Sequence, residues 1–271
     1  MVVALGLDGR VRVLAVELTG PTAEAVSRHQ LGPGAAKRCA EGMVASCLLA
    51  AHVKGEERLT IDVQSKSPPF GFACDVNGDG TLRARFGPAD LRDQAEFFGM
   101  ISAMKSLGRQ QLYRGIAEVE GQTVEGALQR FLMESQQVDS RVRLLAELDD
   151  EGAVRFAAGI LVEKLPACDR DEFKSLVDEP LYDDFKGVMT SFAFGALGGQ
   201  PVEVLGHSAL AFRCNCSRLK VTQTLRALGR DEMQSMIDEQ GGAEVTCHYC
   251  AEAYRFDVSS LQAIMATVAT G

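Results

Sequence analysis

Two pairs of cysteines near the end of the chain, in RCNCSRLK and VTCHYC, restrict what it can fold into more than any other feature. Cys214 and Cys216 form a C-x-C pair; Cys247 and Cys250 form a C-x-x-C pair after thirty intervening residues. A disulfide staple, a metal site and a thiol switch each account for such pairs. Two close pairs joined by an intervening fold are how a chain builds a tetrahedral four-thiolate zinc site, in which each sulfur lies about 2.3 Å from the ion. The first pair is tighter and the gap longer than in an ordinary zinc ribbon, and helices between the pairs explain the gap. The spacing alone favours zinc, and by itself it suits a permanent structural zinc. A thioredoxin-like use of CHYC fits less well. That chemistry places C-x-x-C at a helix N-terminus, whereas VT and AYRF flank it here as strands. His248, between two ligands, reads as an exposed spacer.

The rest of the chain also disfavours the staple. No apolar run approaches the roughly 18–20 residues that span a bilayer, and MVVALGLDGRVRV lacks the basic start and long apolar core of a signal peptide. A cytoplasmic setting is expected, or an organelle if a targeting segment has been removed. Stable disulfides are rare in reducing compartments. A net charge of −9 argues against a nucleic-acid partner, which needs a basic patch. Arg213, Arg218 and Lys220 are too few to supply one. HExxH, GxSxG and dinucleotide fingerprints are absent, so no enzyme is expected. LGPGAAK has the glycines of a phosphate loop without its GK[ST] ending, and is read as a helix start.

Patterning predicts an α+β protein in three parts. Residues 1–165 read as a large mixed domain. VRVLAVEL is a strand, TGPT opens a short helix, and GAAKRCAEGMVASCLLAAHV is a long, Ala-rich helix with few β-branched residues, hence buried. FGFACDV and TLRARF flank NGDG, a hairpin signal. RVRLLAEL and AVRFAAGILVEKL form a second hairpin across DDEG, and Thr123 caps a helix carrying Val124, Leu128 and Phe131 on one side. Cys39, Cys47 and Cys74 fall on buried faces and read as core residues, whereas Cys168 reads as exposed at the start of a linker.

Residues 166–211 read as a metastable, helical linker. Acids alternate there with Phe173, Leu176, Val177, Leu181, Tyr182 and Phe185, and Pro180, Gly198-Gly199 and Pro201 interrupt the pattern. Residues 212–271 read as a small zinc-binding domain. It has one helix with Val221, Leu225 and Leu228 on a stripe, a second helix with Asp231 as its cap and Gly241-Gly242 as its stop, and a hairpin. So small a unit needs a staple or a metal.

At FRCNCSRLK and LGRDEMQSMIDEQGGAEVTCHYCAEAYRFD the chain resembles the heat shock protein 33 family of redox-regulated holdase chaperones. DGRVRVLAVELT, KGEERLTIDVQ and YRGIAEVEGQTVEGALQRFLMESQQV extend the resemblance over essentially the whole chain. Phe97–Gln111 matches weakly, and Cys39, Cys47, Cys74 and Cys168 lie outside the family pattern. The resemblance implies one zinc on Cys214, Cys216, Cys247 and Cys250 in an inactive, reduced state. Oxidants would then form Cys214–Cys216 and Cys247–Cys250 disulfides, eject zinc and unfold the linker. The oxidised form would dimerise and hold unfolding client proteins without ATP. A thiol-disulfide oxidoreductase and a structural zinc-ribbon binding protein are the alternatives.

Overall fold

The structure, a computed structural model, describes residues 1–178, 196–197 and 200–267. It divides into two compact units, Met1–Arg213 and Cys214–Gly271.

The first unit is built around one helix, α2 (Pro33–Leu49). Ala35, Ala36, Cys39, Ala40, Met43, Val44, Cys47 and Leu48 are all buried on it. A helix whose apolar residues run round most of its circumference must be covered on most sides; the stretch with Lys37 and Glu41 reaches the surface. Its neighbours are strands of two six-stranded sheets and two further helices, α1 (Thr19–Arg28) and α3 (Val124–Glu134). Small residues permit this fit. A Cβ on Gly34 would stand 2.3 Å from the Leu91 carbonyl oxygen and 2.6 Å from the Asp93 nitrogen, so only glycine lets that loop close over the helix start.

The first sheet runs β10 (Ala196–Leu197), β11 (Gln200–His207), β1 (Val2–Gly6), β2 (Val11–Glu17), β9 (Val154–Lys164), β8 (Ser140–Leu148), with every neighbouring pair antiparallel. The second runs β12 (Ala211–Phe212), β5 (Thr81–Gly87), β4 (Pro69–Asn77), β3 (Glu57–Ser67), β6 (Phe97–Leu107), β7 (Gln110–Gln122); only the β12–β5 pair is parallel. Both expected hairpins form. Phe72 faces Phe86, Cys74 faces Ala84 and Val76 faces Leu82 across β4 and β5, and all six side chains are buried. The weakly matching stretch from Phe97 is strand β6. The Thr123 hydroxyl accepts from the Gly126 amide at 3.1 Å, which caps α3 and buries Leu128 and Phe131 beneath it.

β2 alternates between two cores. Leu14 and Val16 face α2, while Val11, Val13 and Ala15 join Ala158, Ile160 and Val162 on the outer face. Cys168, Phe173 and Val177 cover that outer face, the last two from α4 (Arg170–Asp178). The Asp169 carboxylate accepts from the Asp171 and Glu172 amides and so caps α4.

Two linker expectations change, those for Gln200–His207 and for Cys168. Gln200–His207 is a strand paired with β1 rather than a helical segment. Cys168 is 5% exposed rather than open, and its thiol donates to the Asp169 carbonyl. Phe173 is 7% exposed on a packed helix. Pro180, Leu181, Tyr182, Phe185, Phe192, Phe194 and Gly198-Gly199 lie outside the described residues.

The second unit carries α5 (Arg218–Leu228), α6 (Arg230–Gln240), the hairpin β13 (Gly242–Thr246) and β14 (Ala253–Asp257), and α7 (Val258–Met265). Among the described residues its core is Leu225, Met233, Phe256, Leu261 and Ile264, all buried. Val221 packs against them, but Leu228 is 50% exposed and leaves the expected stripe. Asp231 lies inside the first turn of α6 and does not cap it; Gly229 holds the cap position. Gly241 ends α6 in the left-handed region, at φ 66°, where glycine has no steric cost. Among the described residues no helix is long and apolar enough to cross a membrane.

Candidate metal centre

The four cysteines meet because two local structures present them. Cys214 and Cys216 lie in an irregular stretch just before α5. The Ser217 hydroxyl accepts from the Lys220 amide and starts α5 immediately after the pair. The Lys220 ammonium reaches back to the Asn215 carbonyl at 2.5 Å, which fixes the backbone between the two cysteines.

Cys247 and Cys250 occupy the tip of the β13–β14 hairpin. The Cys247 amide donates to the Glu252 carbonyl at 2.9 Å, and the Ala251 amide donates to the Cys247 carbonyl at 2.8 Å. Ala251 closes the turn with φ 55°. His248 is exposed on this tip. The two limbs are tied directly. The Arg218 guanidinium donates to the Arg255 carbonyl at 2.7 Å and stacks 4.1 Å from the centre of the Phe256 ring.

All four sulfurs lie within 4.8 Å of one another. Cys214 and Cys247 are 3.7 Å apart, and Cys216 and Cys250 are 3.4 Å apart. Sulfurs held about 2.3 Å from one tetrahedral ion stand about 3.8 Å apart. The cluster therefore has the size of a tetrathiolate zinc site. Its donor set is soft sulfur throughout, which suits zinc and excludes calcium or magnesium. Burial pushes the Cys250 and Cys216 thiols above their ordinary pKa. A divalent cation reverses that preference, because a coordinating thiol gives up its proton.

The sequence pattern identified the four cysteines but not their supports. Arg218 and Tyr254 stand in the motif segments that carry the resemblance, but spacing assigns them no contact; the Tyr254 hydroxyl donates to the Cys216 sulfur at 3.1 Å. Helix α7 was not singled out; the Asp257 carboxylate caps it at the Ser260 amide, 2.8 Å away. The D-x-x-S spacing after YRF was the available signal. The other four cysteines belong to the first unit. Cys39, Cys47 and Cys74 are fully buried, and burial pushes the first two thiols up to about 12; such thiols stay protonated and inert.

Comparisons with known proteins agree along the chain. The family model described as Hsp33 protein matches residues 1–257. The 33 kDa chaperonin of Bacillus licheniformis is 30% identical, over 97% of this chain and 98% of its own length. That of Bacillus subtilis is 27% identical over 97% of each chain. The crystal structure of the 33 kDa chaperonin (heat shock protein 33 homolog) from Thermotoga maritima superposes with a TM-score of 0.80, covering 98% of this chain and 97% of that one at 19% identity. The fold is thus the one seen there, and on the family match over nearly its whole length the chain belongs to the Hsp33 family of chaperones.

Proposed function

We propose that this protein is a redox-regulated, ATP-independent holdase. In the reduced state Cys214, Cys216, Cys247 and Cys250 hold one zinc ion as thiolates, and clients are not bound. The ion supplies a cross-link that stabilises the second unit. The convergence of four sulfurs within 4.8 Å, from two limbs thirty residues apart, is the observation that carries this reading.

Two thiolates of a pair and one hydroperoxide, with two protons, give one disulfide and, for hydrogen peroxide, two waters. Each bridge removes two of the four donors. We infer that Cys247–Cys250 and Cys214–Cys216 are the bridges, that the region 166–211 responds through α4, and that the oxidised protein dimerises and holds unfolding clients. A cytoplasmic setting fits thiols that are reduced until stress.

The test compares reduced, zinc-loaded protein with peroxide-oxidised, zinc-free protein while a heat-unfolded client aggregates, without nucleotide. The oxidised form is expected to suppress light scattering and the reduced form is not. Equal protection by both forms would make this zinc a permanent structural one.

The order of bridging is a separate expectation. Disulfide Cα atoms stand about 4.4–6.8 Å apart, and residues two apart in an extended strand stand roughly 6.6 Å apart, near the limit. Cys247–Cys250 has one more residue and the turn closed by Ala251. It is expected to close first. Mass spectrometry of thiols trapped during mild peroxide treatment decides this; early accumulation of Cys214–Cys216, with Cys247 and Cys250 still alkylatable, refutes the strain argument.

A further inference from the structure

Tyr254 stands on β14 opposite Val245, two residues before Cys247. Its ring packs against the small core of the second unit. Its hydroxyl donates across to the sulfur of Cys216, which belongs to the other limb, at 3.1 Å. The side chain that touches the C-x-C pair is therefore anchored in the hairpin that carries the C-x-x-C pair. We propose that Tyr254 is a positioning residue whose hydroxyl lowers the reactivity of Cys216 toward oxidants while the hairpin is folded. This rests on the redox reading above.

The chemistry is that of a hydrogen-bonded nucleophile. In the first oxidation step a thiolate sulfur attacks a hydroperoxide oxygen. The O–O bond breaks, hydroxide or alkoxide leaves, and the sulfur becomes a sulfenic acid. In the second, the other thiolate of the pair attacks that sulfur and displaces hydroxide, giving the disulfide. Both steps use a sulfur lone pair. A donated O–H occupies one on Cys216 and draws charge from it. Peptide flexibility cannot relieve this, because the ring is held by the core and the β13–β14 ladder. Cys250 has no such side-chain hydroxyl; what its sulfur meets is the Glu252 backbone amide and its fellow cysteines. Hydrogen bonds to charged groups shift equilibria roughly 10- to 100-fold, and about half of such a change on a log scale reaches a thiol's rate constant. Loss of the hydroxyl should then raise the reactivity of Cys216 roughly 3- to 10-fold.

The experiment uses the full chain, reduced and zinc-loaded, as wild type and as Tyr254→Phe. Phenylalanine keeps the ring in the core and removes only the donor. Hydrogen peroxide is added at low temperature, and zinc release, trapped thiols at each cysteine and far-ultraviolet circular dichroism are followed together. In Tyr254→Phe, Cys216 is expected to be consumed roughly 3- to 10-fold faster than in the wild type while the helical signal persists, with the rate at Cys250 unchanged. A merely structural role would accelerate all four cysteines alike and lower the unfolding temperature; that result, or an unchanged Cys216 rate, overturns the proposal. Alkylation of Cys216 relative to Cys250 before oxidant reads the same hydrogen bond without any redox step. The two readings therefore fail separately. A wild type that holds no zinc, or protects no client after oxidation, defeats the holdase reading, whereas equal Cys216-to-Cys250 ratios in the two proteins defeat the role of Tyr254.

Discussion

Cys250→Ser is expected to leave residues 214–271 without stable structure at ambient temperature, while the first unit keeps its fold. Cys250 is 3% exposed, the most buried of the four sulfur donors. Serine offers a hard, weakly acidic hydroxyl where a thiolate is needed, so the site drops to three soft ligands. Structural zinc contributes about 10–16 kcal/mol of apparent binding free energy in small zinc domains, and there that energy is folding energy. The second unit has little else. Its helices span 11, 11 and 8 residues, below the roughly 12–15 at which an isolated helix becomes even marginal. Its sheet is a single two-stranded hairpin, which is marginal alone. Among the described residues five buried side chains hold these pieces together. A domain's net stability is about 5–15 kcal/mol, so losing most of the zinc term exceeds it. The first unit has its own core around α2 and no ligand of the site. Amide hydrogen exchange can separate the two. Protection is expected to vanish over α5, α6 and α7 and to persist over α2 and β9, and a chelator added to the wild type should reproduce the pattern. Unchanged protection in α5–α7 after either treatment would show that the unit folds without its metal.

Much of this architecture is legible in the sequence because its causes are local. α2 is long, Ala-rich and carries no charge beyond Lys37, Arg38 and Glu41, so burial of most of its surface follows from composition. NGDG between two strands of matching parity gives the β4–β5 register, since a tight turn fixes which residues face each other. The four cysteines are legible because a tetrahedral site needs four soft donors and the chain offers two close pairs. Other features depend on partners far away in sequence. β11 is a strand because β1, some two hundred residues earlier, offers it an edge; nothing inside QPVEVLGH announces that pairing. Cys168 is buried because the outer face of β2 and β9 is apolar, a property of other strands. Asp231 has the residue type of a cap, but Gly229 takes the cap position and leaves it in the first turn. Tyr254 is legible as a position of the motif that follows the second pair, but its contact with Cys216 depends on the other limb.

The same dependence on a distant surface makes α4 a sensitive point, and Phe173→Ala is expected to expose the outer face of the first sheet in the reduced protein. Phe173 and Val177 are each 7% exposed and, with Cys168, cover Val11, Val13, Ile160 and Val162. Truncating a buried Phe to Ala costs about 3–5 kcal/mol. What remains to hold the helix is the burial of Val177, the packing of Leu176 and a few polar contacts. It spans nine residues, too few to persist alone. The Arg10–Glu172 ion pair is about one-third exposed on both sides, and such pairs contribute about 0–1 kcal/mol. The Asp169 cap adds about 1 kcal/mol. The loss outweighs the polar terms and leaves Val177 and Leu176 as the main anchors, so α4 should loosen from the sheet and uncover part of an apolar face of the kind that captures unfolding chains. Zinc content should be unaffected, because the four ligands lie beyond residue 213. The variant, kept reduced, is expected to bind a hydrophobic dye several-fold more strongly than wild type and to slow aggregation of a heat-unfolded client without oxidant. Lys174→Ala, on the exposed side of the same helix, should change neither. If Phe173→Ala binds no more dye than Lys174→Ala while its zinc stays in place, α4 is not what keeps this face covered, and the coupling between the cysteines and client capture must run through another segment.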